Sequence, residues 1–225
     1  QRQEFTANVS HELKTPLTSI MGYAEIIEAG IAKPTDVVPF AGKIRTEAQR
    51  LLSLIEDIIR LSQLDAGGEE IPFEPIELQP LCCTVRSRLQ SKADRLGLKI
   101  ECAGENATVS GQRRTLEQMV FNLADNALAY NRPNGSVTIE TGTDSGGAPF
   151  VRVSDTGIGI APEHQPRIFE RFYRVDKSHS KASGGTGLGL SIVKHAVAYH
   201  HGTLNLESQP GKGTTITVTI PRKQS

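Results

Sequence analysis

Four short stretches of this chain carry side chains whose types and spacing suit chemistry. His11 is followed by Glu12, and Thr15 lies one helical turn further on, so His11 and Thr15 share an exposed face. An imidazole displayed on a rigid helix beside a carboxylate is fit to be a nucleophile; a solvated surface histidine reads the same way. Asn122 and Asn126 stand at i and i+4 on another, otherwise apolar helix, where unpaired carboxamides are costly. Amide oxygens suit a hard cation such as Mg²⁺ that also holds phosphate, and a structural polar network accounts for them equally well. Asp155-Thr-Gly157-Ile-Gly159 directly follows an apolar strand. Its carboxylate can accept from an exocyclic amine while the glycines let a ligand approach the backbone; turn chemistry alone explains the same pattern. Gly184-Gly185-Thr186-Gly187-Leu188-Gly189-Leu190 opens a helix, where free N–H groups form an anion site. No Gly-Lys-Ser/Thr follows and no βαβ unit surrounds it, so it is neither a Walker loop nor a dinucleotide fingerprint. Between the last two stretches, Arg171 and Arg174 are within reach of a phosphate. The polar run 176–185 reads as a mobile lid.

These groups need elements to hold them. Val9, Leu13, Pro16, Ile20, Tyr23 and Ile27 recur by fours and threes, which predicts a helix over 2–29 with His11 opposite the apolar seam. A connector at 30–36 carries a Gly stop, a Pro and an N-cap candidate at Asp36. A second helix over 37–65 repeats the spacing at Ile44, Ala48, Leu51, Ile55 and Ile58. The expected product is a helical hairpin, 1–66, that pairs with a second copy into a four-helix bundle; packing on the rest of the chain is the alternative. Residues 67–75, with paired glycines and two prolines, read as a linker. From 76 to 225 short strands alternate with helices: strands at 73–78, 98–102, 108–110, 137–143, 149–154, 203–208 and 214–220, helices at 79–96, 113–130 and 187–200. That order predicts an α+β sandwich, a mixed and mainly antiparallel sheet with helices on one face.

Lys+Arg and Asp+Glu both number 25 in 225 residues, so no electrostatic case exists for nucleic acid or an anionic membrane as main partner. Three cysteines, two of them adjacent, argue against a disulfide framework and fit a reducing compartment. They read as small core or surface residues. No apolar run is long enough to cross a bilayer and no signal peptide is present. The chain begins inside a helical pattern without an N-cap, as expected of a piece cut from a longer protein.

Taken in order, the stretches resemble the catalytic core of a two-component sensor histidine kinase: 5–17 its H box, 118–130 its N box, 155–159 its G1 box, 168–174 its F box and 184–190 its G2 box. The resemblance implies ATP and Mg²⁺ as cofactors. His11 would accept the γ-phosphoryl group, Glu12 would take a hydrogen bond from one ring nitrogen, and Thr15 would orient water for regulator dephosphorylation. Asn126 would hold Mg²⁺, helped by Asn122, and Asp155 would read the adenine amine beside Gly157 and Gly159. Gly185, Gly187 and Gly189 would shape the lid hinge and phosphate site, with Tyr130, Thr186, Leu188, Arg171 and Arg174 completing the nucleotide contacts. It implies a homodimer, a response-regulator receiver domain as partner, and the cytoplasmic portion of a membrane-anchored bacterial sensor, with membrane contact only through segments upstream. One departure stands out: Ala129 occupies the position, three after Asn126, where this family often has Lys or Arg. Arg132, Arg171, Arg174 or Lys177 would have to compensate, or nucleotide affinity or turnover falls. The related hydrolytic ATPases carry a Glu where this chain has Asn122, which favours transfer to a protein over hydrolysis. A non-catalytic nucleotide-binding scaffold is the other alternative.

Overall fold

The computed structural model describes residues 2–65, 72–175 and 185–221. Helices α1 (Arg2–Glu28) and α2 (Pro34–Asp65) run against each other. Tyr23 meets Phe40 near the connector, with ring centroids 5.2 Å apart, and Glu12 meets Arg50 further from it, so the pair is antiparallel. Helix α2 starts three residues earlier than the spacing predicts. Pro34 opens it, since the missing N–H is lost without cost in a first turn. Asp36 is therefore not the N-cap but an acidic residue of that turn, where it complements the helix dipole. Pro16 is accommodated inside α1 and is buried.

The apolar face of α2 is divided. Leu54, Ile58 and Leu61 pack with Leu188 and Ile192 of the C-terminal part, joined by Phe5, Leu13 and Phe172. Leu17, Met21, Leu52, Ile55 and Ile59 stay exposed. Sequence spacing placed Ile55 on the seam with Ile58, yet the hairpin spends its Leu54–Leu61 line on its own chain.

The C-terminal part has strands β1 (Glu74–Glu77), β2 (Lys99–Gly104), β3 (Thr108–Gly111), β4 (Ser136–Thr143), β5 (Pro149–Asp155), β6 (Thr203–Gln209) and β7 (Gly213–Thr219). Its helices are α3 (Leu78–Leu96), α4 (Arg113–Ala129) and α5 (Gly189–Tyr199). β1 opens inside the stretch read as linker because Glu74–Glu77 pairs antiparallel with β3. The main sheet has the order β2-β4-β5-β7-β6, with β2 and β4 parallel and the other pairs antiparallel. Alternation turns Ile100, Val137, Ile139, Val151, Val153, Ile216 and Val218 to one face, where they share a core with α3, α4 and α5. The other face is left to solvent, as the α+β pattern predicts. α5 begins at Gly189, two residues later than expected, because Gly187 has φ +75° and cannot be helical. Among the described residues no helix is long and apolar enough to cross a membrane.

His200 ties the ends of this core together. It is fully buried, its Nε2 accepts from the Gln112 N–H at 3.0 Å, and its Nδ1 donates to the Ala196 carbonyl at 2.8 Å. Burial holds its pKa below the ordinary value, so the ring is the neutral tautomer protonated on Nδ1.

Candidate active site

His11 stands out from α1 with 81% of its side chain exposed, and its Nδ1 is 4.0 Å from Glu12 Oε1. The α1 stripe of Val9, Leu13 and Pro16 is turned inward, which leaves His11 the opposite face. The Thr15 hydroxyl donates to the His11 carbonyl at 3.2 Å. That bond fixes Thr15 on the turn just before Pro16, where the proline ring interrupts the backbone ladder.

The second half of the site is a cradle built from the end of α4, the loop after β5 and the β6–β7 hairpin. The Asn131 amide donates to the Ala127 and Ser136 carbonyls, and its Oδ1 accepts from the Thr156 hydroxyl, whose oxygen in turn accepts from the Ser136 N–H. Ile158 N–H bonds the Tyr130 carbonyl, and Gly211 N–H bonds the Ile158 carbonyl. Ile158 is thus tied through both of its backbone groups to neighbouring elements. Gly157 and Gly159 are required by this closeness. A Cβ on Gly157 would lie 2.4 Å from the Tyr130 carbonyl oxygen, and one on Gly159, at φ +69°, would lie 2.0 Å from that of Gln209.

Asp155 closes β5 at the floor of the cradle. Its Oδ1 accepts from the N–H groups of Gly157 at 2.7 Å and Thr214 at 3.2 Å. The other oxygen makes no hydrogen bond within the described residues, so it is the one available to a ligand amine. Burial raises the pKa of this carboxyl, and the two backbone donors oppose that rise.

The paired asparagines of α4 are not equivalent. Asn122 is used structurally: its Oδ1 accepts from Gln118 Nε2 at 2.8 Å and its Nδ2 donates to the Gly189 carbonyl at 3.2 Å. Asn126, one turn on and half-buried, makes no side-chain hydrogen bond within the described residues, which leaves its carboxamide oxygen for a cation. Ala129 and Tyr130 follow on the same helix end, both half-buried.

The glycine-rich stretch is held down on the hairpin. Arg174, with 8% of its side chain exposed, donates to the Gly185 carbonyl and lies 3.4 Å from Glu12 Oε2. Burial lowers its pKa, and Glu12 partly restores it. The Thr186 hydroxyl donates to Asp57 of α2 at 2.7 Å and accepts from the Leu188 N–H. Burial raises the pKa of Asp57. Leu188 is fully buried, so it acts as an interdomain anchor. Gly187 accepts from the Phe172 N–H, and Phe172, itself at φ 63°, stacks toward Phe5 with centroids 5.7 Å apart. A Cβ at Gly185 would meet open space, and one at Gly189 only ordinary contact with Asn122. Arg171 is drawn away from the cradle: it bonds His195 Nε2 at 3.1 Å and lies over the Phe5 ring. Arg132 is exposed. Of the lid expected at 176–185, residues 176–184, Lys177 among them, lie outside the described residues.

Arg50, Asp57, Phe5 and Phe172 were not singled out from sequence. Asp57 left a trace there, as a carboxylate between the apolar positions Leu54, Ile58 and Leu61. Arg50 left none.

Residues 111–224 match the family model described as histidine kinase-, DNA gyrase B-, and HSP90-like ATPase, and residues 1–67 match the His Kinase A (phospho-acceptor) domain. The chain is 42% identical over 222 residues to the sensor-like histidine kinase SenX3 of Mycolicibacterium smegmatis, covering 98% of this chain and 57% of that protein. It is 38% identical over 221 residues to the phosphate regulon sensor protein PhoR of Pseudomonas aeruginosa, covering 96% of this chain and 49% of that protein. The chain thus spans about half the length of the curated relatives it matches. Among solved structures, the Acinetobacter baumannii histidine kinase AdeS superposes with a TM-score of 0.77 at 25% identity, covering 95% of this chain and 98% of that one. A full-length ShkA in complex with AMPPNP gives 0.72 at 28% identity, covering 99% of this chain and 46% of that one.

Proposed function

This chain belongs to the two-component sensor histidine kinases, and we propose that it transfers the γ-phosphoryl group of ATP to His11 and then to an aspartate of a response-regulator receiver domain. The observation that carries this reading is the bridge from cradle to acceptor. Arg174, anchored on Gly185 of the glycine-rich loop, reaches the carboxylate next to the exposed His11 imidazole.

The residues divide the work. Asp155 accepts from the adenine amine through its unbonded oxygen, and Gly157 and Gly159 keep the wall thin enough for the base. Magnesium, when bound, offsets the charge of the phosphates, and the unengaged Asn126 carboxamide is the group that would hold it. Asn122 serves by fixing the start of α5. Glu12, whose Oε1 lies 4.0 Å from His11 Nδ1, accepts a hydrogen bond from the proton-bearing ring nitrogen and takes that proton as the other nitrogen attacks the γ-phosphorus. The bond to the bridging oxygen breaks and ADP leaves with its electrons. Alignment supplies most of the rate, as is usual for phosphoryl transfer. With Ala129 in place of a basic residue and Arg171 and Arg174 engaged elsewhere, Arg132, which is exposed, is a cation left to meet the phosphates among the described residues. Thr15 serves regulator dephosphorylation by orienting water.

The exposed line of Leu17, Met21, Leu52, Ile55 and Ile59 takes the hairpin of a second copy, completing a four-helix bundle. The site works on the cytoplasmic side, where ATP and receiver domains are found. Incubation with γ-labelled ATP, then with a receiver domain, tests the reading. Wild type labels itself and passes label on, and Asn126→Asp does neither while remaining dimeric. Free phosphate without protein label would make it an ATPase, and bound nucleotide with neither product would make it a scaffold.

A further inference from the structure

The ATP-binding part presents a second reactive group on the flank where α3 lies beside β2, away from every residue assigned above. Cys83 Sγ donates to Cys102 Sγ across 3.1 Å, and both are free thiols. The two sulfurs are brought together by packed elements rather than by a loose loop. Arg86 Nε, one turn on from Cys83, bonds the Ile100 carbonyl at 3.3 Å, and Leu89 and Ile100 share the core beneath. Cys102 sits on β2, the edge strand of the main sheet, and Cys83 is exposed, so a small oxidant reaches the pair. Cys82, adjacent in sequence, points into the core with no exposure, which makes it a built-in control.

We propose that Cys83 and Cys102 form an oxidisable dithiol site that closes to an intrachain disulfide when met by hydrogen peroxide. The Cys83 sulfur attacks the peroxide, the O–O bond breaks, and the products are a Cys83 sulfenic acid and water. Cys102 then attacks that sulfur, the S–O bond breaks, and the departing hydroxide takes the Cys102 proton as a second water. The pair loses two protons and two electrons, and the peroxide is reduced by the same two electrons. Burial and its neighbour Cys83 push the Cys102 thiol up to about 12, so it is protonated in the reduced pair. The bond staples the start of α3 to the sheet edge.

The full chain treated with hydrogen peroxide is the test. We expect a mass lower by two hydrogens, and a non-reducing peptide map that joins the segment holding Cys82 and Cys83 to the one holding Cys102. Cys83→Ser and Cys102→Ala each remove the link, Cys82→Ser keeps it, and the melting temperature rises by about 5 °C until dithiothreitol is added. Uptake of oxygen without loss of hydrogens, or a link that survives Cys83→Ser, overturns the proposal.

Discussion

Arg174 and Glu12, 162 positions apart in the chain, meet with Nη2 3.4 Å from Oε2, and Arg50 stands 3.9 Å from the same oxygen. One carboxylate beside His11 therefore answers a guanidinium from its own hairpin and one from the ATP-binding part. Arg174→Ala and Glu12→Gln should be non-additive. A double-mutant cycle on the urea midpoint should return about 1 kcal/mol of coupling, kept low by the partial exposure of Glu12. Additive losses would mean that the pair contributes nothing to docking.

Asp57 and Thr186 form the other polar tie. The docked carboxyl has a raised pKa, so docking takes up protons and is favoured at low pH. It weakens as pH rises through that pKa, above the ordinary carboxyl value. Asp57→Asn should keep the acceptor for Thr186, remove the burial cost of the charge and flatten this dependence. Thr186→Val should weaken docking by about 1–3 kcal/mol, since it takes the hydrogen bond from a largely buried carboxylate and leaves it to Arg60, 4.0 Å away. Hydrogen exchange at 185–188 across pH reads both.

His200 carries a separate pH signature. Its folded pKa lies below the ordinary 6.5, so the unfolded chain binds the extra proton. Stability is complete above that ordinary value and declines as pH falls from there toward the folded pKa. Urea midpoints between about pH 8 and about pH 5 should show the decline in wild type and a flatter profile in His200→Gln, which starts from a lower stability.

Asp155→Asn keeps an acceptor for the Gly157 and Thr214 N–H groups but sets an NH₂ where the free oxygen would face the base. Affinity for ATP should fall roughly tenfold to hundredfold, as expected for losing a charge-assisted hydrogen bond. Gly157→Ala should do at least as much harm, because its Cβ meets the Tyr130 carbonyl. Fluorescent-nucleotide titration measures both, and unchanged affinity in either would place the base elsewhere.

The cradle was legible in the residues because its glycines answer local demands, namely Gly159 and Gly187 at positive φ and Gly157 against a carbonyl. His11 was legible because helical spacing puts it opposite Val9, Leu13 and Pro16. What escaped depended on partners distant in sequence. Asn122 and Asn126 look alike on one helix face, and only Gln118 below and Gly189 across the fold separate a structural amide from an open one. Leu54 and Leu61 lie off the stripe of Ile44, Ala48, Leu51, Ile55 and Ile58, and only their partner Leu188, distant in sequence, explains their burial. Arg171 resembled a phosphate ligand until Phe5 and His195 came to meet it.

Where the phosphate goes decides the role of His11 most directly. Mass spectrometry of the ATP-treated chain, with acid and base stability of the label, should find an acid-labile, base-stable phosphoryl group on His11 that is absent from His11→Gln. Phosphate on another residue, or none on that ring in the presence of bound ATP, would contradict it.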